Sequence, residues 1–318
     1  MKKFKINKPR EECGVFGISD HEDSSALVAL GLHALQHRGQ EGCGICSFDG
    51  KKFHLEKRQG LVGDHFTDQE VIKKLPGKFA IGHNRYSTTG EVSLRNIQPF
   101  FADLYTGGVS LAHNGNLTNA IELRNNLVKD GAIFRTTSDT ETIVQLIAKS
   151  NRKKMTDKII DTLFQIQGAY SLVMMTNKKL IGIRDPFGIR PLVIGRLKNS
   201  FIFASETCAL DIIGAKFVRE VDNGEIVVIE NEKLNSVKPF PAKKVRPDAF
   251  EYIYFSRPDS ILKNKCAYEH RKNLGYQLAE ECDVDPDIIV PVPDSGVPAA
   301  IGFSQKTKVN FVPRNCDE

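Results

Sequence analysis

Apolar residues recur along this chain in two rhythms. Leu27, Val28, Leu30, Leu32 and Leu35 fall at helical spacing behind Ser24 and Ser25, either of which can cap a helix that stops near Gly39. Residues 118–130 and 155–167 repeat that spacing, and Ser138-Asp139-Thr140-Glu141 has the form of a capping box opening a helix to about Lys149. Between the helices lie short apolar runs that read as strands: Cys13 to Ile18, Gly42 to Phe48, Lys52 to Glu56, Lys78 to Gly82 and Gly108 to Ala112. Asp49-Gly50 joins the second and third as a hairpin. Strands then dominate, over 170–176, 179–184, 191–195, 201–204 and 225–230. Runs of strands broken by runs of helices predict stacked sheets covered by helices, an α+β arrangement rather than βαβ alternation.

The texture changes after about residue 238. Pro239, Pro241, Lys243, Lys244, Arg246 and Pro247 read as a linker. Beyond it come a helix over 268–282, a strand over 287–292, a tight loop at Pro293-Asp294-Ser295-Gly296, a helix from about Pro298 and a strand over 309–312. That is one βαβ unit, the start of an α/β domain. Residues 1–12 are polar, without periodicity, and read as a tail.

Composition narrows the class. With 41% apolar and 26% charged residues over 318 positions, the chain is that of a globular protein long enough for two domains. A net charge of +5, without a dense Lys/Arg block, argues against nucleic acid and suits a small anionic substrate. No apolar run approaches the ~18 residues of a membrane helix, and no apolar stretch follows the basic start. Seven scattered cysteines do not form a disulfide framework, so the expectation is free thiols in a reducing cytoplasm.

Four features can carry chemistry. Cys13 is a candidate nucleophile if its own α-amine acts as base, because an α-amine of ordinary pKa ~8 is partly unprotonated at neutral pH. In the sequence that nitrogen is an amide bonded to Glu12, so this role requires removal of residues 1–12. A lone cysteine in a strand is more often a small buried apolar residue. Asn114-Gly115 offers a side-chain amide and a backbone N–H for an oxyanion hole, or else a plain Asn-Gly turn. Arg85 and Asp139 can hold the carboxylate and the ammonium of an α-amino acid, although Asp139 also suits a helix first turn. The loop Asp294-Ser295-Gly296, between a strand and a helix start, suits a phosphate or pyrophosphate. Cys43 and Cys46, three apart on a strand, face opposite sides and read as core thiols rather than zinc ligands. His37, His83 and His113 are scattered, and no metal site is expected among them.

The order of these motifs says more than any one of them. Glu12-Cys13-Gly14-Val15-Phe16-Gly17-Ile18, Leu35-Gln36-His37-Arg38-Gly39-Gln40-Glu41, Gly82-His83-Asn84-Arg85-Tyr86-Ser87-Thr88, Ala112-His113-Asn114-Gly115-Asn116-Leu117 and Thr137-Ser138-Asp139 together resemble the class II glutamine amidotransferase domain. So do Arg184-Asp185-Pro186-Phe187-Gly188 and Ser205-Glu206-Thr207-Cys208-Ala209-Leu210-Asp211. Glu251-Tyr252-Ile253-Tyr254-Phe255-Ser256-Arg257-Pro258-Asp259-Ser260 and Val292-Pro293-Asp294-Ser295-Gly296 resemble the amidophosphoribosyltransferase family within that group.

The resemblance implies a four-layer αββα N-terminal nucleophile hydrolase fold over 13–238, after a propeptide at 1–12, and the start of a phosphoribosyltransferase domain over 239–318. It implies L-glutamine and phosphoribosyl pyrophosphate as substrates and a 5-phosphoribosylamine product, at the entry to purine synthesis. It makes Cys13 the nucleophile, Asn114 and Gly115 the oxyanion hole, and Arg85, Asp139, Gly39 and Arg38 the glutamine pocket. Asp294, Ser295 and Gly296 become the pyrophosphate loop.

The chain also departs from the family pattern. The ribose-phosphate loop of the family has no match before Arg314-Asn315-Cys316-Asp317-Glu318, so the expectation is a truncated chain that hydrolyses glutamine at best. The Mg2+ that accompanies phosphoribosyl pyrophosphate in the family would then lack its site. Asp248 stands where cluster-bearing relatives place a cysteine, so no 4Fe-4S cluster is expected. A homo-oligomer is expected of a full-length chain, and a non-catalytic glutamine-binding remnant is the alternative reading.

Overall fold

The computed structural model describes residues 13–86 and 93–313. The expected propeptide at 1–12, Ser87 and Thr88 of the Arg85 motif, and the closing residues Arg314 to Glu318 lie outside them. The chain divides into two compact units, one up to Pro247 and one from Asp248.

Two antiparallel sheets build the first unit. In one, seven strands stand in the order Lys216–Glu220, Val193–Leu197, Ser200–Ala204, Gly14–Ile18, Phe79–Arg85, Gly42–Phe48 and Phe53–Gln59. In the other, six stand in the order Lys233–Val237, Ile226–Glu230, Leu180–Arg184, Gly168–Thr176, Gly107–Leu117 and Phe100–Leu104. Three buried clusters fill the gaps between layers. Phe16, Ile18, Ile45 and Ala80 meet Val28 and Leu32 of the helix Ser24–Ala34. Val15, Ile81 and Phe203 of the first sheet meet Ala112, Val173 and Val227 of the second. Leu111, Leu172 and Ile183 meet Ile143, Ile147 and Ile159 of the helices Asp139–Lys149 and Met155–Leu163. Helix, sheet, sheet and helix are therefore stacked in four layers, the expected αββα sandwich.

Period-two alternation explains the sorting. Along Phe79–Arg85, Ala80, Gly82 and Asn84 face the Ser24–Ala34 helix, while Ile81 faces the second sheet. Cys43 and Cys46 fall into different clusters, on opposite faces of their strand. Burial pushes both thiols up to about 12.

Several local expectations are corrected. Asn114-Gly115-Asn116 is not a turn: it lies inside the strand Gly107–Leu117, paired residue by residue with Gly168–Thr176. The Lys78–Gly82 strand runs on to Arg85. Neither Ser24 nor Ser25 caps its helix; their hydroxyls donate to the carbonyls of Gly77 (2.8 Å) and Leu75 (2.6 Å). Ser138 does cap, accepting from Thr140 N–H at 3.3 Å, but Glu141 accepts from the N–H groups of Arg135 and Thr136. The box is thus only half formed.

In the second unit, helices span Ala267–Glu281 and Val297–Thr307, after a π-helical turn Glu251–Phe255 and a small hairpin, Ile261–Leu262 with Lys265–Cys266. The expected strands at 287–292 and 309–312 reduce to one parallel bridge, Ile289 with Phe311. No helix among the described residues is long and apolar enough to cross a membrane.

Candidate active site

Cys13 is half-buried, one residue before the central strand. Gly14 pairs with Asn84, so Cys13 lies level with Arg85 on the neighbouring strand. Val15 faces the second sheet, and alternation turns Cys13 the same way. Ile81 shares that face, so His83 and the buried Arg85 follow it. On the other side of the gap, Ala112 looks back, and Asn114 with it. A hydrogen bond from the first sheet to the second, His83 Nε2 to His113 O at 3.1 Å, fixes the two strands beside each other at this point. Burial pushes His83 down to about 3, so the neutral ring donates this bond.

Asn114 is fully buried, and neither its amide oxygen nor its amide nitrogen has a hydrogen-bond partner among the described residues. A buried polar group left so costs about 1–3 kcal/mol and marks a place kept for something else. Gly115 follows at φ +145, and a Cβ there would stand 2.1 Å from Ala169 O. Only glycine fits that backbone, which interrupts the plain course of the strand beside Asn114.

Asp139 opens its helix and accepts from Leu117 N–H at 2.9 Å, which ties the helix start to the end of the Asn114 strand. Its other oxygen lies 3.7 Å from His113 Nδ1. Burial holds His113 below the usual imidazole range, against the opposing pull of Asp139.

Arg38 and Gly39 close the Cys13 side. Gly39 packs on main chain: a Cβ would lie 2.6 Å from the Arg85 carbonyl carbon. The Arg38 side chain, expected from the resemblance to bind glutamine, is buried and committed elsewhere. Its Nε donates to Cys13 O at 3.1 Å and its Nη1 to Glu206 Oε1 at 2.5 Å. Glu206 had no role in the expected site, and a partner 168 positions away leaves no local signal in the sequence. The Cys13 thiol itself is directed to Tyr86 O, 3.7 Å away. Cys13, Arg38, Gly39 and Arg85 thus form one group. Asn114, Gly115 and Asp139 form a second, and the His83–His113 bond joins the two strands that carry them.

Asp294, Ser295 and Gly296 belong to the second unit, where they form the turn before the helix Val297–Thr307. Gly296 is its N-cap, with its N–H bonded to Val292 O at 3.1 Å. Asp248 Oδ1 accepts from Phe250 N–H at 2.9 Å at the start of the π-helical turn. A carboxylate in that role is a poor match for a soft cluster ligand, so Asp248 itself does not suit a 4Fe-4S site. No three His, Cys, Asp or Glu gather among the described residues, and no step below runs through a metal.

Residues 83–211 match the glutamine amidotransferase domain family. The amidophosphoribosyltransferase of Rhizobium etli is 54% identical over 306 residues, covering 95% of this chain. That of Bacillus subtilis is 44% identical over 302 residues, again covering 95% of this chain. The solved structure of glutamine phosphoribosylpyrophosphate amidotransferase from B. subtilis, complexed with ADP and GMP, superposes with a TM-score of 0.91 at 42% identity, covering 96% of this chain and 67% of that one. This chain belongs to the amidophosphoribosyltransferase family. Membership accounts for the second unit as well as the first, since the matched length runs through both. The chain spans 62% of the R. etli relative and 63% of the B. subtilis one.

Proposed function

We propose that this chain carries the glutamine-hydrolysing part of an amidophosphoribosyltransferase, acting through Cys13 as an N-terminal nucleophile once residues 1–12 are gone. The whole reaction would convert glutamine, phosphoribosyl pyrophosphate and water to 5-phosphoribosylamine, glutamate and pyrophosphate, the first step toward purines, in a reducing cytoplasm. The observation that supports this reading is the buried Asn114 amide, without a hydrogen-bond partner among the described residues, on a strand that the His83–His113 bond sets beside the one carrying Arg85.

In this reading Arg85 holds the glutamine carboxylate and Asp139 its ammonium. The Cys13 thiol attacks the side-chain carbonyl while its own α-amine takes the thiol proton. Asn114 Nδ2 and the Gly115 N–H receive the oxyanion. The protonated amine passes its proton to the leaving ammonia, and water then hydrolyses the thioester to glutamate. Asp294, Ser295 and Gly296, before a helix N-terminus, would bind the pyrophosphate group.

The test is an intact mass before and after incubation with 6-diazo-5-oxo-L-norleucine, a glutamine-like alkylator. Loss of residues 1–12 and one adduct on Cys13 are expected. Asn114→Ala should bind glutamine yet lose about 10²–10³-fold in kcat. A full-length mass without adduct would favour a non-catalytic glutamine-binding chain, since Glu12 then still blocks the nitrogen of Cys13.

A further inference from the structure

Behind Cys13 lies a buried charge pair that the glutamine chemistry above does not use. Arg38 and Glu206 have no exposed side-chain surface, and their ion pair measures 2.5 Å. Burying one of these charges without the other is costly, so each keeps the other in place. The Arg38 guanidinium is also planar and forked: while Nη1 is held by Glu206, Nε donates to Cys13 O at 3.1 Å. The same Glu206 oxygen takes His37 Nε2 at 2.8 Å. The residue before Glu206 grips the next peptide unit: Ser205 Oγ accepts from Val15 N–H at 3.0 Å, and Ser205 N–H donates to Val15 O at 3.0 Å. One two-residue segment therefore fixes the main chain of the nucleophile from beneath, at Cys13 through Arg38 and at Val15 directly.

We propose that Glu206 is a positioning residue for the Cys13 nucleophile. It holds Arg38 on the Cys13 carbonyl, and this sets the direction in which the α-amine and thiol of Cys13 leave the strand. It also cancels the charge of the guanidinium held at the Cys13 carbonyl. The inference rests on the nucleophile role proposed for Cys13.

The two functions separate in Glu206→Gln, which keeps the shape and removes the charge. With the diazoketone, the maximal alkylation rate should fall about tenfold, because a small misplacement of a reacting group is enough for that. The half-saturating concentration should stay within about twofold, because Arg85 and Asp139 are untouched. With iodoacetamide, which needs no glutamine pocket, the pH midpoint of Cys13 labelling should move down, because the guanidinium on the Cys13 carbonyl has lost its counter-charge. Equal rates and equal midpoints in wild type and variant would overturn the proposal. So would a rate loss accompanied by labelling of the buried Cys43 and Cys46, which would signal a loosened fold. If the single variant does not fold, Arg38→Gln/Glu206→Gln removes both charges at similar volume. That double variant should show the same loss of diazoketone rate, and a wild-type rate would sink the idea. A wild-type chain labelled by iodoacetamide but not by the diazoketone would remove the glutamine reading alone, and the midpoint comparison would still judge Glu206.

Discussion

His83 carries a charge-state argument that needs no catalytic assumption. Its ring is buried between the sheets, and burial lowers it to about 3, while an unfolded chain protonates the same imidazole near ~6.5. Between those values the unfolded state binds the proton and the folded state refuses it. The stabilisation is therefore complete above the unfolded value and is lost as pH falls toward the folded one. His113 shifts in the same direction for the same first cause. Urea unfolding of wild type should weaken steadily from about pH 6.5 to about pH 4.5. His83→Gln, which can still donate to His113 O, should show a flatter profile, and parallel profiles would mean that His83 is not the group responsible. The sequence held no sign of this. Only the alternation set by Ile81 turns His83 inward.

At the scale of elements, legibility followed burial. The helix at Ser24–Ala34 was readable from its helical spacing, and the strands at Gly14–Ile18 and Gly42–Phe48 as short apolar runs buried on both faces. The strands Phe100–Leu104, Lys216–Glu220 and Lys233–Val237 went unread. All three sit at sheet edges, where exposure leaves little apolar pattern to find. Asn114-Gly115 misled for the opposite reason: a strong local turn signal was overridden by pairing along the whole of Gly168–Thr176. What the hydrophobic pattern did not convey is how closely the Ser24–Ala34 helix sits. Gly31 stands over the Phe16 ring, where a Cβ would come within 2.4 Å, and Gly82 beneath would meet Val28 at 2.5 Å. Gly31→Ala should therefore gain helix propensity yet destabilise the protein by about 1–3 kcal/mol through overpacking. Chemical denaturation checks it, and a neutral or stabilising result would mean that the helix can lift from the sheet without penalty.

For the whole molecule, the decisive feature is where the buried clusters lie. All three are made of residues before Pro247, and both residue groups of the candidate site fall inside the same stretch. That stretch was legible as a domain because its motifs occur in order. The contacts that assemble its site were not, since Cys13, Arg85, Asn114 and Glu206 are spread over nearly its whole length. In the second unit the apolar side chains of Ile288, Val290 and Val292 are exposed, and its largest element is the helix Ala267–Glu281. A core complete in one unit should fold without the other. Between them the chain passes through Lys243, Lys244 and Arg246 without regular structure, and these side chains are exposed. Brief trypsin treatment should cut there first and leave a fragment ending near Lys244 that keeps the two sheets. If the site is built as described, that fragment should be alkylated at Cys13 by the diazoketone at the rate of the uncut chain. A fragment that stays folded by circular dichroism but no longer reacts would show that residues beyond the cut help to shape the glutamine pocket, and the four-layer unit would then be necessary for the chemistry without being sufficient for it.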